Sequence, residues 1–133
     1  MTKRGIVMEW LKYNANPKNN RVGDCTVRAI STVLNQKWET TYVGLCVKGL
    51  ELADMPSANH VWGSYLRDLG FCRQAVPDTC PDCYTVADFC NEHPDGKYIL
   101  ALNKHVVAVI SGTLFDTWDS SDEIVLYFWK KET

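Results

Sequence analysis

Three side chains, Cys25, His105 and Asp116, are of the types that nucleophilic acyl chemistry needs. Cys25 stands in "NNRVGDCTVRAIS", residues 19–31, directly after Gly23 and Asp24 and one residue into an amphipathic helical pattern. In a first helical turn the unpaired backbone N–H groups and the positive end of the helix dipole favour a thiolate, so the thiol pKa should fall. Cysteine is also an ordinary small buried residue, and position alone does not separate the two roles. His105 sits in "NKHVVAV", where an imidazole opens an otherwise apolar strand. His60, near a helix start, and His93, in a turn, read instead as solvated or structurally satisfied residues.

A hairpin supplies the third group. If Ser111–Gly112 is a two-residue turn, Ile110 pairs with Thr113. Trp118 then stands opposite His105, and Asp116 opposite Val107, on the same face as His105 and one diagonal step away. Asp119 would point to the other face, and a one-residue slip of register would exchange it for Asp116. A carboxylate in that place fixes the imidazole tautomer and stabilises the imidazolium, while the indole keeps water from their hydrogen bond.

The elements that must position these groups follow from periodicity. Val27, Ile30, Val33 and Leu34 mark one face of a helix over about residues 24–35. Trp38, Tyr42, Leu45 and Cys46 suggest a second helix, and Val61, Trp62, Tyr65, Leu66 and Leu69 a third, stopped by Gly70. After the loop "VPDTCPDC", Thr85 and Asp88 in "TVAD" form a capping-box pattern that opens a short helix ended by "HPDG". From Gly96 onward the period changes to two, and "KYILAL", "HVVAVI", "TLFDTW" and "EIVLYFW" read as four strands. "IVMEWLKYN" near the start is ambiguous and is a candidate extra strand. Helices first and an antiparallel sheet afterwards make an α+β chain, and 133 residues suffice for one domain with a real core.

A cysteine opening the first helix, a histidine starting a strand and an Asn or Asp on the next strand resemble the order in papain-like cysteine peptidases. "DCTVRAIS" is similar to that family's nucleophile helix, and "DTW", residues 116–118, to its Asn-Ser-Trp segment. The short chain and tight hairpin look more like the small bacterial and phage-encoded members, bacteriocin-leader peptidases among them. The resemblance implies a single papain-like domain over residues 1–133, with N-terminal helices packed on a C-terminal antiparallel sheet. It implies a Cys25–His105–Asp116 triad, a peptide or protein substrate and no cofactor. The family's oxyanion-hole glutamine, five or six residues before the cysteine, is replaced by Asn19 and Asn20. An asparagine amide carries the same donor on a shorter arm, and Asn20 is the preferred candidate. The Cys-Gly-x-Cys-Trp signature of the larger enzymes is absent. Transfer or deamidation on the same triad, and a catalytically silent binding module, are the alternatives.

"CPDC", residues 80–83, is a second cysteine constellation. With Cys72 and Cys90 it could complete a four-cysteine zinc set, but the spacing C-x7-C-x2-C-x6-C is not a familiar zinc pattern, and Cys90 lies on the apolar side of its helix with Val86 and Phe89. No metal is expected at the site itself. Residues 1–28 carry six Lys/Arg against two Asp/Glu, and residues 78–133 four against ten, which fits two solvated faces. No basic stripe interleaved with aromatics points to nucleic acid. Glu9 interrupts the apolar N-terminal run, no stretch approaches the ~20 apolar residues of a membrane span, and a cytoplasmic protein with reduced thiols is expected. Oligomeric state is not encoded in any readable pattern.

Overall fold

The computed structural model describes residues 8–79 and 81–131. Cys80 and the first seven residues, both used above, lie outside the described residues. The order of elements is β1 (Glu9–Lys12), α1 (Cys25–Leu34), α2 (Trp38–Leu52), α3 (Asn59–Asp68), β2 (Phe71–Ala75), α4 (Val86–Glu92), β3 (Lys97–Leu102), β4 (His105–Ile110), β5 (Thr113–Asp116) and β6 (Tyr127–Lys131). The strands form one mixed sheet in the order β1-β5-β4-β3-β6-β2.

Both faces of the central strands are covered, which explains their nearly continuous apolar sequences. Ile99 and Ala101 of β3 and Val106 and Ala108 of β4 join Val27, Ile30, Leu45, Trp62 and Leu66 of the first three helices. The alternate residues Leu100, Leu102, Val107 and Val109 point the other way and meet Val86, Phe89 and Cys90 of α4. The expected helices therefore form, but α4 covers the face opposite to α1, α2 and α3. Its start carries the capping box: Thr85 Oγ1 accepts from the Asp88 amide, and Asp88 accepts the Thr85 amide at 2.9 Å.

The sheet departs from the antiparallel expectation at one edge, where β1 runs parallel to β5. A two-residue hairpin forces neighbouring strands to be antiparallel; β1 reaches β5 across the whole helical half, so no turn dictates its direction. Ser111 and Gly112, at φ 51° and 74°, form the turn that pairs Ile110 with Thr113, Val109 with Leu114 and Ala108 with Phe115. β2 was not anticipated. It is a five-residue edge strand with only Phe71 buried, directly after the left-handed Gly70 that ends α3, and so carries little periodic signal. "EIVLYFW" also contributes less than expected: residues 124–126 bridge to the Tyr84–Thr85 segment and to Ala101, and the paired strand starts at Tyr127. Among the described residues no helix is long and apolar enough to cross a membrane.

Candidate active site

The site forms where the N-terminus of α1 meets one end of two neighbouring strands. α1 packs on β4 through Val27 and Ile30, which bury against Val106 and Ala108. That packing brings Cys25, the first helical residue, beside His105, the first residue of β4. Being first in the helix, Cys25 has a backbone N–H with no intrahelical acceptor. Asp116 ends β5, the strand hydrogen-bonded to β4.

His105 Nε2 lies 2.7 Å from Asp116 Oδ2. With that nitrogen engaged, Nδ1 is the ring atom left for the Cys25 thiol, which is near enough for thiol and imidazole to shift each other's pKa. Asp116 is 4% exposed. Its carboxylate also accepts the Ser120 hydroxyl at 2.7 Å and, on Oδ1, the Thr117 amide at 2.7 Å. These donors fill the acceptor sites that burial would otherwise leave unsatisfied, and they turn the chain out of β5 after Asp116. Trp118 consequently lies beyond the strand rather than in register opposite His105, yet its ring stacks on the imidazole with centroids 5.2 Å apart. Asp119 is elsewhere and accepts the Ser121 amide at 3.1 Å.

The electrostatics follow from these contacts. Burial pushes the Cys25 thiol pKa up, but the His105 hydrogen bond and positive charge, the Val106 backbone amide and the nearby Arg28 outweigh it and hold the thiol below its ordinary 9.0. Burial pulls the His105 imidazolium pKa down; the hydrogen bonds and charges of Asp116 and Cys25 prevail and raise it from 6.5 to about 9. Near neutral pH His105 is therefore favoured as the imidazolium, and its charge draws the Cys25 thiol toward the thiolate.

A polar framework absent from the motifs fixes the approach to Cys25. Asn16, 8% exposed, donates from Nδ2 to Asp24 Oδ2 at 3.0 Å, and its Oδ1 accepts the Lys18 amide at 2.9 Å. Trp38 Nε1 donates to the same Asp24 oxygen at 3.0 Å, and Arg28 is ion-paired with Asp24. Asp24, the residue before Cys25, is thus tied to α1, α2 and the preceding loop. Local Asx patterns and a tryptophan fourteen residues on were the available signals, and neither reveals a shared partner without the fold.

Cys25 and His105 line a cleft of about 900 Å3 together with Asn19, Asn20 and Trp118. The Asn19 carboxamide is engaged by Asn14, whose Nδ2 donates to Asn19 Oδ1 at 3.0 Å. Asn20 lines the same cleft, and its side-chain amide has no hydrogen-bond partner among the described residues.

The remaining candidates separate from this site. His60 Nε2 contacts an Asp54 carboxylate oxygen, and His93 stacks on Phe89 with centroids 3.8 Å apart. Cys90 is 2% exposed, packed within the α4 layer with Val86 and Phe89. Among the described residues no group of three His, Cys, Asp or Glu side chains is gathered as a metal site. Comparison with known proteins finds no match for this chain among family models, curated proteins or solved structures.

Proposed function

We propose that this protein is a small cysteine hydrolase of papain-like type that cleaves amide bonds of a peptide or protein through Cys25, His105 and Asp116. One observation carries this reading. A buried carboxylate 2.7 Å from a half-buried imidazole stands beside a helix-start thiol whose pKa is lowered, and the group opens onto a cleft. A buried histidine serving only the fold has no need of a cysteine on one side and a carboxylate on the other.

The Cys25 thiolate attacks the scissile carbonyl carbon, and the carbonyl electron pair moves to oxygen. The Cys25 N–H and the Asn20 amide donate to that oxyanion; each such donor accounts for about 3 kcal/mol of barrier reduction. The His105 imidazolium gives its proton to the leaving amine as the tetrahedral adduct collapses to a thioester. Neutral His105 then takes a proton from water, whose oxygen attacks the thioester, and the acid product leaves with the thiolate–imidazolium pair restored. Asp116 and its Ser120 and Thr117 donors hold the imidazole in position throughout.

The test is acyl-enzyme formation with p-nitrophenyl acetate. The expected result is a burst of p-nitrophenol, an acetyl group mapped to Cys25, and loss of both in Cys25→Ser and His105→Ala. Absence of acylation in a folded wild-type protein would sink the hydrolase proposal and leave the binding module. Partition of the acyl-enzyme toward an added amine in preference to water would turn the assignment to a transferase.

A further inference from the structure

We infer that the cleft selects an acidic peptide, one carrying carboxylates close to the carbonyl presented to Cys25; this rests on the hydrolase reading above. The chain as a whole has a net charge of −2, yet the cleft is basic. Lys12, Arg21 and Lys104 all line it, and no aspartate or glutamate does so among the described residues. All three side chains are exposed, and none has an ion-pair partner among the described residues. Arg28 also lines the cleft, but Asp24 neutralises it.

The three cations come from three separate segments, each fixed by structure around the reacting groups. Lys12 ends β1 in register with Asp116, and the next amide, Tyr13 N–H, donates to the Asp116 carbonyl at 2.9 Å. Lys104 occupies a left-handed position, φ 60°, in the two-residue turn that delivers His105. Arg21 follows Asn20 in the loop leading to the nucleophile. With the buried Asp116 carboxylate the thiolate–imidazolium pair carries one net negative charge, against the three cations that line the cleft. The field felt by the rest of a substrate is therefore set mainly by these cations. The attacked group must be a carbonyl, which makes an acidic peptide a better match than a nucleic acid.

Two isosteric electrophilic probes test this: chloroacetyl-Glu-Glu-amide and chloroacetyl-Gln-Gln-amide, each alkylating Cys25. At low salt the acidic probe should react about tenfold faster, the ratio shrinking toward one as ionic strength reaches about 0.5 M. Lys12→Gln, Arg21→Gln and Lys104→Gln combined should collapse the ratio, and the salt series on the wild-type protein gives the same information without any variant. A ratio near one at low salt, with rapid His105-dependent alkylation by the neutral probe, overturns the acidic preference and leaves the hydrolase reading intact. Slow alkylation by both probes overturns both. Stronger protection of Cys25 by a single-stranded DNA oligonucleotide than by oligoglutamate of equal charge also overturns the peptide assignment.

Discussion

Cys25 and Cys90 sit on helices packed against opposite faces of one sheet, and their thiols are driven in opposite directions. Burial raises both. At Cys90 nothing opposes it, and the pKa is pushed up to about 12. At Cys25 an imidazole, a backbone amide and a guanidinium more than offset it. The two histidines differ in the same way: His93 spends its ring on a stack with Phe89 and its Nδ1 on the Phe89 carbonyl, whereas His105 is held between a carboxylate and a thiol. A helix position and a hydrophobic neighbourhood do not by themselves lower a thiol pKa; charged partners do.

The largest expected effect breaks this contrast directly. In His105→Ala only burial, Val106 and Arg28 act on Cys25, so its labelling by iodoacetamide near neutral pH should fall by about 100-fold and approach that of Cys90. Peptide mapping of the two cysteines reads both rates in one sample. Equal rates already in the wild-type protein would abolish the distinction.

Phe89→Ala probes the other face. Phe89 is fully buried between His93, Tyr98 and Phe128, and its truncation should cost about 3–5 kcal/mol in urea unfolding. The Cys25 labelling rate of the folded fraction should hold within about twofold, because the two cores are separated by the sheet. A parallel loss of reactivity would mean that the faces are coupled.

Asp116→Asn sharpens the comparison by removing charge while keeping an acceptor for His105. The imidazolium pKa should drop from about 9, and Cys25 labelling near pH 7 should fall by about tenfold. The sign for stability follows from the same shift. A raised folded-state pKa stabilises the protein fully below the unfolded value of 6.5, and that contribution disappears as pH rises through about 9. The wild-type protein should therefore exceed Asp116→Asn in stability most at mildly acid pH, with the His105 contribution to the gap gone above about 9. Melting temperatures across pH, with the imidazole titration followed by NMR, check both.

The smallest effect concerns the framework before the helix. Asn16→Ala leaves Asp24 Oδ2 and the Lys18 amide each short of a partner and should cost about 1–2 kcal/mol. The Cys25 labelling midpoint should stay where it is, since Asn16 touches neither the thiol nor the imidazole.

Much of this was legible because the relevant signals are local or fixed by a tight turn. The Ser111–Gly112 hairpin sets the register arithmetically, and so Asp116 rather than Asp119 is the carboxylate that reaches His105. The Thr85–Asp88 capping box was equally readable. The parallel pairing of β1 with β5 was not, because its backbone partner lies about a hundred residues away and its side chains are exposed. The Asn16–Asp24–Trp38 cluster escaped for a related reason: three ordinary polar contacts acquire a purpose only when α1 and α2 bring them together. Trp118 was placed correctly against His105 although the strand that was to carry it ends two residues earlier, at Asp116.

The decisive measurement is the pH dependence of iodoacetamide alkylation at Cys25 in the native protein and in His105→Ala. The account predicts a wild-type midpoint below the ordinary 9.0 of a thiol, displaced upward when the imidazole is removed. A wild-type midpoint at or above 9.0, or one indifferent to His105, would contradict it.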